Sequence, residues 1–154
     1  MKIAMANDHA GTSLKNEIKA YLESEGHEVK DFGTYDNASC DLSDFVYPAA
    51  LSVAQGECER GIFVDGVGYG SALIANKIYG IYAAVCQDPF CAKLAREHTD
   101  SNVLCIGGKI IGSAIAMETV KVWMHTDPLT EEKYRRRVRK VTEINDKHCV
   151  PVEK

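Results

Sequence analysis

Asp65-Gly66-Val67-Gly68-Tyr69-Gly70-Ser71 joins a short apolar run, Gly61 to Val64, to a helical pattern. Glycines at 66, 68 and 70 let backbone N–H groups come close to a ligand and point at an anionic oxygen, so the segment can cradle an oxyanion or a phosphate. The same glycines can serve only to let helix and strand pack. Their GxGxG spacing is not the GxGxxG of a dinucleotide site, and no Lys-Ser/Thr pair follows as in a P-loop. Asp65, at the end of the apolar run, is placed for partial desolvation, which raises a carboxylate toward the range of a useful base. It equally suits a turn or a helix cap. Asp8 and His9 follow the first apolar run and offer an acceptor beside a proton-carrying imidazole, or else an Asx-turn and a surface histidine. His98 ends a helical pattern in Arg96-Glu97-His98-Thr99-Asp100, a place that favours positive charge and often holds a capping histidine.

The elements that must position these residues alternate along the chain. Lys2 to Ala6 reads as a strand. The helix after it has Leu14, Ile18, Tyr21 and Leu22 on its apolar face, Lys15, Lys19, Glu23 and Glu25 toward water, and Gly26 as its stop. His27 to Phe32 is a second strand, 33–43 a polar loop, and Phe45 to Ala54 a helix closed by Gly56. Gly61 to Val64 is apolar throughout, as suits a central parallel strand. A helix from Gly70 or Ser71, a strand from Ile81 to Cys86, and a helix from the Asp88 cap and Pro89 to about His98 follow. Val103 to Ile106 is the fifth strand, Ser113 to Met124 an amphipathic helix, and Thr130 to about Lys147 a long final one. Five strands separated by helices predict an α/β, doubly wound, Rossmann-like parallel sheet with helices on both faces. In such sheets ligands bind at the carboxyl ends of the strands.

The chain has 154 residues, 45% hydrophobic and 26% charged, which predicts one folded domain and excludes disorder along its length. A net charge of -4 supplies no global attraction to nucleic acid or anionic membranes, so any anion site must be local. The one basic cluster, Lys133, Arg135, Arg136, Arg137, Arg139 and Lys140, reads at its simplest as a solvated helix face. Six cysteines without a CxxC pair, and without a secretory signal, read as reduced thiols in a cytoplasmic protein. No apolar stretch is long enough to span a membrane.

Several colinear segments resemble the type B ribose-5-phosphate isomerase family, which includes the galactose-6-phosphate isomerase subunits. They are Met1-Lys2-Ile3-Ala4 through Asn7-Asp8-His9-Ala10-Gly11, Asp31-Phe32-Gly33-Thr34-Tyr35, Gly66-Val67-Gly68-Tyr69-Gly70 with Ala75-Asn76-Lys77, Ala92 to His98, and Asn102 to Lys109. The resemblance runs from residue 1 to about residue 145. It implies interconversion of aldose and ketose phosphates through a cis-enediolate, with neither metal nor organic cofactor. His98 would help open the sugar ring, with Asp8 and His9 near the ring oxygen and hydroxyls. Gly66, Val67, Gly68, Tyr69, Gly70 and Ser71 would stabilise the enediolate through backbone N–H groups. Arg137 would bind phosphate. The family's site forms between two subunits, so a homodimer is the minimum implied, a tetramer remains open, and residues 130–154 would serve a partner's pocket.

Departures from the family pattern are specific. Asp65 stands where many members have a cysteine base, and Val67 where threonine is common. Thr99 replaces an asparagine, Lys109 an arginine, Lys133 the first of two phosphate arginines, and Tyr82 a frequent arginine. A carboxylate can perform the cysteine's proton transfer, and lysine keeps the charge of arginine while losing its bidentate fork. The departures bear on the identity of the sugar, ribose 5-phosphate or a tetrose, allose or galactose phosphate, more than on the reaction. Loss of the cysteine also leaves room for a noncatalytic sugar-phosphate-binding protein or subunit. A nucleotide-binding regulator rests on fold analogy alone.

Overall fold

In the run Ile3-Ala4-Met5-Ala6 every residue is apolar, so the strand it forms can be covered on both faces, and all four residues are fully buried. The computed structural model describes residues 1–153. In chain order its elements are β1 (Lys2–Asn7), α1 (Thr12–Ser24), β2 (Glu28–Asp31), α2 (Ser43–Ala54), β3 (Arg60–Asp65) and α3 (Tyr69–Ala75). β4 (Ala83–Val85), α4 (Pro89–Thr99), β5 (Val103–Gly107), α5 (Ser113–His125) and α6 (Glu132–His148) follow. The strands form one parallel sheet in the order β2-β1-β3-β5-β4, as the doubly wound reading expects.

The pleat divides the core in two. Ile3, Met5, Ile62, Val64, Leu104 and Ile106 meet Leu14, Ile18 and Leu22 of α1, Ala92 of α4 and Val120 and Trp123 of α5. Ala4, Ala6, Phe63, Val103 and Cys105 meet Val46, Ala49, Ala50 and Val53 of α2 and Ala72 and Ala75 of α3. The chain thus leaves β1 toward one face and β3, its direct neighbour, toward the other. The two following loops diverge and open a crevice at the carboxyl edge of the sheet, the usual ligand position in this architecture.

Two strands are shorter than the sequence suggests. β2 and β4 are the edge strands, each paired on one side only, and their ladders run from Lys2↔Glu28 to Met5↔Asp31 and from Ala83↔Val103 to Val85↔Cys105. Ile81 donates instead to Ile78 in a turn. α3 begins at Tyr69, one residue earlier than expected, while Asp88 caps α4 by accepting from the Cys91 amide at 2.8 Å, as its sequence signal requires.

Lys15 is the clear correction. Expected to face water, its side chain is 1% exposed. It lies beside Leu14 at the margin of the buried stripe of α1, where the last residue of β2 supplies a countercharge. Its Nζ donates to both Asp31 oxygens, at 3.0 and 2.8 Å, and lies 3.4 Å from the Thr34 carbonyl. Lys19 joins Asp31 at 3.3 Å. Burial would raise the Asp31 pKa, but hydrogen bonds from Lys15, the Gly33 amide and Lys19 outweigh it and hold the carboxyl below its ordinary value. A depressed carboxylate stabilises the fold above its unfolded-state pKa and loses that contribution as pH falls through the folded-state value. Lys15→Met should therefore lower stability by about 3 kcal/mol near neutral pH, because it strips a buried anion of its main partner. Urea denaturation should show the deficit shrinking in acid, and shrinking also when Asp31→Asn is combined with it.

Candidate active site

Three loops, after β1, β3 and β5, meet at the carboxyl edge, with the 33–42 loop after β2 tied to the first of them. In the first, an Asp8 oxygen accepts from the Ala10 amide at 2.8 Å, which is the Asx-turn reading of this sequence. The Asp8 amide reaches the Val64 carbonyl at 3.3 Å, so the turn leans on the end of β3. Gly11 permits this approach: an alanine Cβ there would lie 2.1 Å from the Val64 carbonyl oxygen. Asn7 Nδ2 donates to the Asp8 carbonyl at 2.8 Å and to Thr12 Oγ1 at 3.0 Å, and Thr12 in turn donates to the Asp36 carbonyl at 3.0 Å. The polar 33–42 loop is thereby tied to the same edge. It brings Cys40 Sγ to 4.0 Å from His9 Nδ1.

The second loop begins at Asp65, only 4% exposed at the end of β3. Its Oδ1 accepts from the Gly68 amide at 2.5 Å, and its Oδ2 from the Ser71 amide at 3.4 Å. Gly68 adopts φ +85°, which folds the loop back so that these amides converge on the carboxylate. Burial pushes the Asp65 pKa up, the negative charge of Asp8 adds to it, and the loop amides oppose the rise without cancelling it. Asp65 thus caps its own loop, and each oxygen keeps a further lone-pair site beyond the amide it accepts. Ser71 is fully buried, and Val67 and Tyr69 are exposed at the rim.

The third loop follows β5. The Gly108 amide donates to the Asp65 carbonyl at 2.7 Å and the Lys109 amide to the Gly66 carbonyl at 3.0 Å, which places exposed Lys109 beside the glycine-rich segment. Gln87 braces the two loops, donating to the Val67 carbonyl at 2.8 Å and accepting from the Gly107 amide at 3.3 Å. Leu42 packs over Gly70, where an added Cβ would lie 2.8 Å from its Cδ2. The sequence flags neither Gln87 nor Leu42 nor Cys40, since each reaches the site through a loop whose path is set by distant contacts.

His98, Thr99, Lys133 and Arg137 form a second group. α4 returns from the carboxyl edge, so its last turn lies where β5 begins, next to Asn102, whose carbonyl accepts from the Gly61 amide at the start of β3. Buried Arg96 fixes this end through bonds to the Asp100 carboxylate at 2.7 Å and the Thr126 carbonyl at 3.2 Å. The His98 ring stacks on Tyr134 of α6, with centroids 4.6 Å apart and planes 13° apart. Lys133 Nζ and Arg137 Cζ lie 4.7 and 5.5 Å from the same Tyr134 ring. Thr99 donates back to the Ala95 carbonyl at 2.6 Å. One chain thus holds Asp8, His9, Asp65 to Ser71 and Lys109 at one edge of the sheet, and His98, Thr99, Lys133 and Arg137 at the other. Among the described residues, no group of three or more His, Cys, Asp or Glu side chains converges as a metal site would require. No helix of the described residues is long and apolar enough to cross a membrane.

A family model described as Ribose/Galactose Isomerase matches residues 3–141. The chain belongs to this family. It is a sugar-phosphate isomerase of the ribose/galactose isomerase type. Ribose-5-phosphate isomerase B of Escherichia coli is 38% identical over 146 residues, which cover 95% of this chain and 97% of that protein. A 4-deoxy-4-sulfo-D-erythrose isomerase from a Clostridium species is 38% identical over 127 residues, 82% of this chain and 80% of the relative. The solved structure of ribose-5-phosphate isomerase B from Clostridium thermocellum superposes with a TM-score of 0.92 at 41% identity, covering 96% of this chain and 99% of that one.

In this ribose/galactose isomerase the raised pKa of Asp65 has a consequence for stability. A carboxyl whose folded-state pKa is raised favours folding fully below its unfolded-state pKa, and that contribution is lost as pH rises through the folded-state value. The stability of Asp65→Asn relative to the native chain should therefore move in the variant's favour as pH rises from about 3 to about 8. Thermal melts across this range check the slope, and the opposite slope contradicts a raised Asp65.

Proposed function

We propose that the enzyme interconverts a short anionic aldose and its ketose, ribose 5-phosphate and ribulose 5-phosphate first among the candidates, with Asp65 as the proton-transferring base and no cofactor. The observation that carries this reading is a buried carboxylate with a raised pKa, at the carboxyl end of β3 where the family's glycine-rich loop begins. A carboxylate whose pKa is raised is a stronger base than a free one and holds the proton it takes more firmly. Asp65 takes the proton from carbon 2 of the open-chain aldose and delivers it to carbon 1. Backbone N–H groups in the 66–71 segment stabilise the oxyanion that forms, and Asp8 and His9 bind the oxygens nearest the reacting carbons. His98 opens the ring, with Thr99 beside it, while Lys109, Lys133 and Arg137 hold the distal anion. The free thiols suit a cytoplasmic setting.

Ring opening and proton transfer can share one site only if a second copy brings its His98 edge to the first copy's Asp65 edge. A homodimer is therefore part of the proposal, with residues 130–154 reaching the partner. Its support is the exposed apolar surface on the elements concerned: Tyr69 and Leu73 of α3 line a cleft of about 370 Å³, and Val141 and Ile144 project from α6, which buries none of its residues. Asp65→Asn and His98→Asn should each be inactive alone, yet regain roughly a quarter of native activity when mixed and reassociated, since half of randomly paired symmetric dimers carry one intact site of two. Absence of any recovery from variants that do exchange subunits contradicts the shared site.

Substrate and base are tested together by solvent exchange of the carbon-2 proton across pentose, tetrose and hexose phosphates. The sulfonated tetrose named for the Clostridium relative belongs on the same panel. Asp65→Asn should abolish exchange and leave substrate binding intact. A second reading is favoured by one observation, the loop amide already held by each Asp65 oxygen: the residue would act as a cap alone, in a protein that binds sugar phosphates without turning them over. Saturable binding with no exchange on any member of the panel is the outcome that selects it.

A further inference from the structure

Ser71 sits in the first turn of α3 with no exposed surface, and its hydroxyl makes no hydrogen bond. Buried hydroxyls rarely go without a partner, because an unmade bond costs free energy that water would otherwise return. Its own amide points at Asp65 Oδ2 from 3.4 Å, which sets the hydroxyl of the same residue close to that carboxyl. Oδ1 is the tightly held oxygen, 2.5 Å from the Gly68 amide. Oδ2 is held loosely and lies 3.0 Å from where an alanine Cβ would stand at Gly70, a position that Leu42 packs against from the other side. It is the oxygen with freedom to react.

We propose that Ser71 is a positioning residue for Asp65, its hydroxyl donating to Oδ2 while the carboxylate is ionised and accepting from Oδ2 once that oxygen has taken the substrate's proton. The inference rests on Asp65 being the base. During the reaction the carbon-2 C–H bond breaks, and its electron pair forms the carbon–carbon double bond as the carbonyl pair moves onto the carbon-1 oxygen. The proton resides on Oδ2. It then returns to carbon 1, while the hydroxyl proton of carbon 2 passes to the carbon-1 oxygen, and no oxidant or reductant is needed. The Gly68 and Ser71 amides can only donate, so they favour the anion and cannot accept from the O–H of the acid. A hydroxyl rotates between donor and acceptor, and so can orient both states of the same base.

The test reads the Asp65 carboxyl carbon by 13C NMR over a pH titration in the native chain, Ser71→Ala and Ser71→Cys, with the signal assigned by its absence in Asp65→Asn. Loss of a donor to the anion should move the titration to higher pH in Ser71→Ala, with a smaller move in Ser71→Cys, whose thiol is a weak donor. Because the lost bond is one to the ionised carboxyl, any fall in the thermal midpoint of Ser71→Ala should grow as pH rises through the Asp65 titration. Should that variant not fold, Ser71→Cys reads the same titration. On the aldose phosphate that exchanges, kcat of Ser71→Ala should fall by about tenfold with KM little changed, and the acid limb of its pH profile should move upward with the NMR titration. An unmoved Asp65 titration, or a fall in kcat with an unmoved acid limb, overturns the role. Inactive Asp65→Asn with an unaffected Ser71→Ala removes Ser71 alone, whereas a fully active Asp65→Asn removes the base and Ser71's role with it.

Discussion

The carboxyl edge is organised by the need to satisfy one buried carboxylate. Asp65 leaves β3 among apolar neighbours, and nothing in a parallel sheet offers it a countercharge, so the chain turns back on itself to supply amides. That turn requires a left-handed residue at Gly68 and leaves the Asp65 and Gly66 carbonyls facing the amides of the loop after β5. The 33–42 loop closes on the same segment from the other side through Leu42, and the Asp8 turn leans on Val64 because Gly11 has no side chain. Four loops, following β1, β2, β3 and β5, are thus mutually dependent. A change in any one reaches Asp65 through backbone contacts and alters the site without touching a substrate.

Much of this was legible in the sequence, for identifiable reasons. The strands declared themselves because a central parallel strand must be apolar on both faces, and Gly61 to Val64 and Val103 to Ile106 are. Asp88 and Pro89 marked the start of α4 because cap chemistry is local. The edge strands were overextended because their ends depend on where a neighbour's ladder stops, which is not local. Lys15 was misplaced for a related reason: a charge at the margin of a helix stripe is buried or solvated according to what lies opposite, and Asp31 is sixteen positions away. Gln87 and Leu42 had no signal at all, since an amide brace and a leucine contact look like any other residue until the loops are assembled.

The distribution of charged groups over the two edges follows from the same topology. A helix that crosses back over a parallel sheet carries its last turn to the amino edge, so chemistry at the end of α4 is separated from chemistry at the end of β3 by the length of a strand. In one chain the two ends of the sheet can each be specialised independently. The carboxyl edge has buried Asp65 and backbone donors, while the amino edge has His98 stacked on Tyr134 with Lys133 and Arg137 around the same ring. Tyr134 thereby holds one imidazole and two cations in a fixed relation on the face of α6, which otherwise contributes nothing to the core.

Asp31 and Asp65 show why burial alone does not determine what a carboxylate does. Both end parallel strands, both accept backbone amides, and burial pushes both upward. Asp31 faces Lys15 and Lys19, whose charges outweigh the desolvation, so it stays ionised and its contribution is to hold α1 and the 33–36 turn against β2. Asp65 faces neutral amides and the negative charge of Asp8, so desolvation prevails and the proton is held more tightly. Amides orient a carboxylate without committing it to one protonation state as a lysine does. The fold gains from the first carboxylate as pH rises and loses from the second. Near neutral pH Asp31 and its lysines therefore add to stability, while Asp65 is retained at a cost to the fold. Under the proposed role of Asp65 as the base, such a cost is expected, since the group is then kept to exchange a proton rather than to secure the chain.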